Sequence, residues 1–160
     1  MGKKMKKNND YKAFVEKFEP KKTTDDCYTP TEVYDVVLEH VRAEYSIPED
    51  TPIIRPFFPG GDYEHHNYPE GCVVVDNPPF SILSKILDFY RAHNIRFFLF
   101  SPALTSICYV VKREGLTFVT TGVSVKYANG AVVNTGFITN MSPDLFFTTC
   151  PPLIEEIKIN

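Results

Sequence analysis

The stretch VVVDNPPFSI, residues 73–82, limits the fold of this chain more than any other. Val73, Val74 and Val75 form a β-branched run that reads as a buried strand. Pro78 and Pro79 have no backbone N–H to give, so the strand must stop there. The next segment, SILSKILDFYRAH, is an amphipathic helix with Ile82, Leu83, Ile86, Leu87 and Tyr90 on one side. A buried strand, a stiff turn and a helix form the unit on which α/β proteins place chemistry.

The rest of the chain continues the alternation. TPTEVYDVVLEHVRAEY, residues 29–45, reads as a helix, with Val33, Val37, Val41 and Tyr45 on one face. Thr29 is its expected N-cap, Pro30 its first helical residue, and Glu32 closes a capping box on Thr29. Pro48 and Pro52 end it. Residues 53–58 are a short strand stopped by Pro59, Gly60 and Gly61, and residues 62–71 are a polar, aromatic loop. IRFFLF, residues 95–100, is another buried strand, and residues 101–115 read as a short helix and its exit. Residues 117–141 form a hairpin in which Val119, Val123, Val125 and Tyr127 alternate with smaller residues and Asn129-Gly130 makes a two-residue turn. Residues 142–160 carry three prolines and no strong period. This order predicts an α/β fold with a mostly parallel sheet and an antiparallel C-terminal hairpin.

Composition narrows the class. The 160 residues suffice for one domain with a core, and 43% hydrophobic with 23% charged residues is a globular balance. No apolar run reaches the roughly 18 residues of a membrane span; the closest, 95–111, is broken by Arg96 and Pro102. The lysine-rich start is followed by no apolar signal segment, so a cytoplasmic protein without a membrane partner is expected. Cys27, Cys72, Cys108 and Cys150 are far apart and read as free thiols. His65-His66 with Asp62 and Glu64 reads as a solvated loop rather than a metal cluster. Residues 1–22 form an expected flexible basic tail, with at most a short helix over 10–18, and residues 23–160 the domain. Beyond residue 26 the chain holds nine Lys and Arg against fifteen Asp and Glu, which argues against strong affinity for a phosphate backbone.

The turn itself suggests a ligand. The Pro78 carbonyl and the Asn77 side-chain oxygen are two acceptors close together, suited to an amino group. Phe80 adds a flat face on which a planar ring can stack. An amino group on a planar ring describes a nucleobase.

Asn77-Pro78-Pro79-Phe80 resembles the catalytic tetrapeptide, [Asp/Asn/Ser]-Pro-Pro-[Tyr/Phe/Trp], of DNA amino-methyltransferases. The resemblance implies a reduced Rossmann-like methyltransferase fold. It implies S-adenosylmethionine as cofactor, DNA as partner, and methylation of the exocyclic amino group of a flipped-out adenine. Asn77 and the Pro78 carbonyl would then accept hydrogen bonds from that amino group, with Phe80 stacked on the base. CYTPTEV is similar to the methionine-side motif of one subclass, which would set Tyr28, Thr29 and Pro30 beside the cofactor. RPFFPGGDY stands where the family has its glycine-rich cofactor loop, and Pro56, Phe57, Gly60 and Gly61 match it loosely. Helix capping and a tight turn explain Thr29-Pro30 and the glycines equally well.

One interval departs from the family. Ten residues, 62–71, separate Gly61 from the strand at Cys72, where a full enzyme has a helix and two strands. A parallel crossover alone needs about a dozen residues. A sheet of about five strands is therefore expected, with the first strand at an edge. The acid that would hold the cofactor's ribose is missing with the second strand, and Asp62 or Glu64 would have to replace it; Asp76 is the acid beside the turn. A target-recognition subunit or other protein partner would have to be supplied separately. The alternative reading is an inactive remnant of the fold that binds nucleic acid or a protein, as a phage or mobile-element anti-defence module would.

Overall fold

The computed structural model describes residues 29–57, 62–127 and 130–159. The basic tail, Cys27, Tyr28, Gly60, Gly61 and Asn129 lie outside these residues. The chain forms an α/β fold in which one mixed six-stranded sheet lies between two helical layers.

Helix α1, Thr31–Glu44, buries Val33, Tyr34, Val37 and Val41, the stripe expected from their spacing. Its start differs from the expectation. Pro30, at ψ 141°, is the N-cap, no side chain caps the helix, and the Tyr34 N–H donates to the Pro30 carbonyl at 3.0 Å. The extended Pro30 starts the helix one residue late, and Thr29 turns into the interior. The helix ends before the prolines. Ser46 adopts φ 51°, and the N–H groups of Ser46 and Ile47 reach back to the carbonyls of Ala43 and Arg42. This is a Schellman closure with buried Ile47 as its apolar contact.

Strand β1 is only Ile53–Ile54, because the chain turns at Pro56 and Phe57. It pairs in parallel with β2, Val73–Asp76, which pairs in parallel with β3, Arg96–Pro102. Helix α2, Leu83–Ala92, follows a single 3-10 turn at Phe80–Ile82 and connects β2 to β3. It closes as α1 does, with Asn94 at φ 53° and the Ile95 N–H on the Tyr90 carbonyl. Helix α3, Ala103–Val110, leads into β4, Thr117–Lys126, and β4 into β5, Val132–Thr139.

The sheet order is β1-β2-β3-β5-β4-β6. β5 is antiparallel to both neighbours, so the expected hairpin is present. Its loop is longer than expected. The Tyr127 N–H donates to the Ala131 carbonyl at 2.8 Å, leaving three residues between the closing pair. Gly130, at φ 85°, occupies the left-handed position such a loop requires. Residues 142–159 also carry structure that their sequence did not announce. Strand β6, Phe147–Thr149, pairs with β4, and helix α4, Pro151–Ile159, packs beside α1.

The faces of the sheet separate two cores. α1 and α4 cover Val73, Val75, Phe98, Phe100, Val119 and Phe137. α2 and α3 cover Val74, Phe97, Leu99, Phe118 and Ile138. Among the described residues of 62–71 there is no strand, and this loop supplies aromatic packing instead. Tyr63 sits 5.3 Å from the Phe89 ring and 5.7 Å from Phe57, and the Tyr68 hydroxyl bonds the Tyr63 carbonyl at 2.6 Å. Among the described residues no helix is long and apolar enough to cross a membrane.

Strand β5 contains Gly136 opposite Thr120, and a Cβ placed there would lie 2.5 Å from Phe118 Cε2 and 3.1 Å from the Val119 carbonyl oxygen. Neither neighbour is a loose side-chain end. Gly136→Ala is therefore expected to destabilise the fold by roughly 1–3 kcal/mol through overpacking. A lowered urea midpoint with unchanged slope is the expected reading, and an unchanged midpoint would contradict this packing.

Candidate functional site

Three of the segments singled out in the sequence meet at the carboxyl ends of β1 and β2. The meeting point is Asp76, the last residue of β2, which is 1% exposed. Its Oδ2 accepts the backbone N–H of Phe57 at 2.8 Å, and its Oδ1 accepts that of Asn77, also at 2.8 Å. Arg55 Nε lies 3.7 Å from Oδ1, and the Arg55 guanidinium rests 3.4 Å from the centre of the Tyr34 ring, a cation–π contact. The Tyr34 hydroxyl donates to the Val75 carbonyl at 2.8 Å. The first turn of α1 is thereby fixed beside the end of β2.

Burial governs the electrostatics. Loss of solvent pushes the Asp76 carboxyl above its usual range, against the opposing pull of the two backbone N–H groups and Arg55. Burial likewise raises the Tyr34 phenol, so both it and the Tyr90 phenol beneath the aromatic loop remain neutral.

The tetrapeptide follows directly. Asn77 is half-buried with its side-chain oxygen beneath the surface, Pro78 is buried, Pro79 is half-buried, and Phe80 opens the 3-10 turn at 8% exposure. Phe80 was expected to present a face for stacking; in this conformation it is part of the packed interior. A base would reach Asn77 and Phe80 only after their covering atoms move aside.

The residues expected around a cofactor divide. Pro56 and Phe57 directly follow β1, Pro30 caps α1, and Thr29 is buried just before that cap. Thr29 Oγ1 is buried with no hydrogen-bond partner among the described residues, which is the condition of a hydroxyl that a bound polar group would satisfy. The acids fit less well. Both Asp76 oxygens are taken by backbone N–H groups in a dry environment, so this carboxylate holds protein rather than a ribose. Asp62 is exposed, with one oxygen 2.5 Å from His65 Nδ1 and the other accepting the Glu64 N–H at 3.1 Å. The His65 contact holds the Asp62 carboxyl below its usual range. Asp62 thus shapes its own loop. No group of three or more His, Cys, Asp or Glu among the described residues could hold a metal ion.

No family model, no curated protein and no solved structure matches the chain significantly. Sequence reasoning missed Arg55 and Tyr34, which are separated by twenty residues of chain and joined only by the fold. An arginine directly before Pro56, in an otherwise apolar strand segment, was the available signal.

Proposed function

We propose that the protein is a compact S-adenosylmethionine-dependent methyltransferase acting on the exocyclic amino group of adenine in DNA. The observation that carries this reading is the joining of the first turn of α1, residues 55–57 and residues 76–77 at one end of the sheet through Tyr34, Arg55 and Asp76, with Asp-Asn-Pro-Pro-Phe as the turn after an internal strand. The strand order, with an antiparallel β5 placed between β3 and β4, is what a methyltransferase sheet lacking two strands beyond β1 would show.

Thr29, Phe57 and the segment following it would hold the cofactor, and S-adenosylmethionine would supply the methyl group. The chain's own residues hold the base. The stiff Pro78-Pro79 turn fixes the Pro78 carbonyl, and Asp76 fixes the Asn77 backbone. Both acceptors then draw the amino lone pair away from the ring, and Phe80 stacks on the extruded base. The short β1 and the engaged acids favour a second reading, a remnant of this fold that binds nucleic acid or a protein without transferring a methyl group.

Methyl incorporation from labelled S-adenosylmethionine into adenine-containing DNA separates the two. Incorporation at the adenine amino nitrogen supports the enzyme. Its absence on DNA of varied sequence, together with no calorimetric binding of the cofactor at millimolar concentration, leaves the remnant. Phe80→Ala is expected to weaken binding of DNA carrying an extruded adenine by roughly 1–3 kcal/mol, the contribution of one stacking contact. Equal affinities for wild type and variant would remove Phe80 from base capture.

A further inference from the structure

We propose that Asp76 is a positioning residue that ties Phe57, after β1, to the Asn77 turn, so that one ionised carboxylate sets both halves of the site and protonation loosens the tie. The proposal concerns the site named above and rests on that reading only for the identity of its ligands. Phe57 and Asn77 belong to different connections, and each gives its backbone N–H to a different oxygen of Asp76 at 2.8 Å. Protonation turns one of these oxygens into a hydroxyl, a much weaker acceptor than a carboxylate oxygen, so the charge-assisted bond that oxygen receives weakens and the tie between the two connections loosens.

The surroundings set the conditions. The groups acting on Asp76 are Arg55 after β1, Tyr34 on α1, Tyr90 on α2 and Tyr68 on the loop. Burial holds all three phenols protonated well above neutrality, so among these described groups only Arg55 brings charge. Burial of Asp76 itself, the largest influence, outweighs Arg55 and the backbone donors, and its carboxyl takes up a proton at a higher pH than an ordinary aspartate. The sign for folding follows from linkage. A carboxyl raised in the folded state stabilises the fold fully below the unfolded-state value, and this contribution is lost as pH rises through the folded-state value. Ionising Asp76 thus weakens the fold slightly while it secures the site. That opposition is characteristic of a group retained for position rather than for stability.

The lock also couples ligands. A group bound against the loop after β1 holds Phe57, and through Asp76 it holds the backbone of Asn77. Binding on the cofactor side therefore prepares the base side.

Amide NMR of the whole chain, titrated with acid, tests this without any ligand. The Phe57 and Asn77 amide resonances are expected to move with one shared midpoint, above the ordinary aspartate value, and neither is expected to show that transition in Asp76→Asn. Retained dispersion of the remaining amides reports that the variant is folded, and the wild-type titration stands without it. Separate midpoints, or a transition that survives Asp76→Asn, would overturn the lock. S-adenosylhomocysteine is then added at neutral pH. Movement of the Asn77 resonance in wild type but not in Asp76→Asn supports coupling, and equal movement in both refutes it. No binding of S-adenosylhomocysteine at all would count against the cofactor assignment and against coupling through it, while the shared titration would still establish the lock.

Discussion

Asn77→Ala is expected to lower methyl incorporation into adenine by about a hundredfold or more, the usual cost of removing a preorganised acceptor from a reacting group. The loss falls on turnover. As the amino nitrogen becomes tetrahedral and cationic, its hydrogen bond to the Asn77 oxygen strengthens, so truncation removes more from the transition state than from the bound base. DNA affinity should change little. The backbone N–H of residue 77 persists in the variant and still meets Asp76, so the turn itself should keep its shape. Single-turnover incorporation beside equilibrium DNA binding separates the two effects. Unchanged turnover would exclude the tetrapeptide from the chemistry.

Phe98→Ala is the substitution expected to damage the fold most. Phe98 is wholly buried in the middle of β3, 4.8 Å from Phe137 in a stacked pair and 6.1 Å from Tyr45 on the α1 side. Truncation leaves a cavity walled by strands and a helix that cannot close on it. A loss of about 3–5 kcal/mol is expected, seen as a lowered urea midpoint. A loss below about 1 kcal/mol would mean that the α1 layer is far looser than its packing indicates.

The elements that bury a regular stripe were legible because hydrophobic periodicity reports burial directly. Val33, Val37 and Val41 marked α1, and Ile86, Leu87 and Tyr90 marked α2. Val73, Val74 and Val75 marked β2 as an internal strand, covered on both faces. The exclusion of a strand from 62–71 rested on chain length alone, and β1 does pair directly with β2. Other features carried no local signal. β6 is three residues long and half-exposed, too short for alternation to register. Among the described residues α4 buries Leu153 and Ile157 and packs Ile154 partly against the same core, and its opening Pro151-Pro152 reads equally well as a coil. The aromatic residues of 62–71 looked like a solvated loop because burial of Tyr63 depends on Phe89, which the fold brings in from α2, as well as on Phe57 nearby in the chain.

The segments of the candidate site were legible, and the contacts that join them were not. Phe57 and Asp76 were both picked out, and a backbone hydrogen bond joins them. Asp76 is engaged by the N–H groups of Phe57 and Asn77, which a sequence cannot specify. The burial of Phe80 was hidden for a related reason. A phenylalanine beside a helix start finds the core before it finds a ligand, and its burial is decided by neighbours that no local pattern names.

The position of β5 between β3 and β4 has a consequence for how the chain is made. Synthesis delivers β4 before β5, yet β4 bonds only to β5 and β6, which both come later. The second edge of β3 likewise waits for residues 135–139. A nascent chain ending between residues 126 and 132 therefore carries an unsealed β3 rich in phenylalanine and a ten-residue β4 with nothing to pair with. Such edges are templates for other chains. Ribosome-bound intermediates whose exposed chain ends in the hairpin should be captured by holdase chaperones far more than intermediates that have exposed residues up to 149, when β5 and β6 can both close on β4.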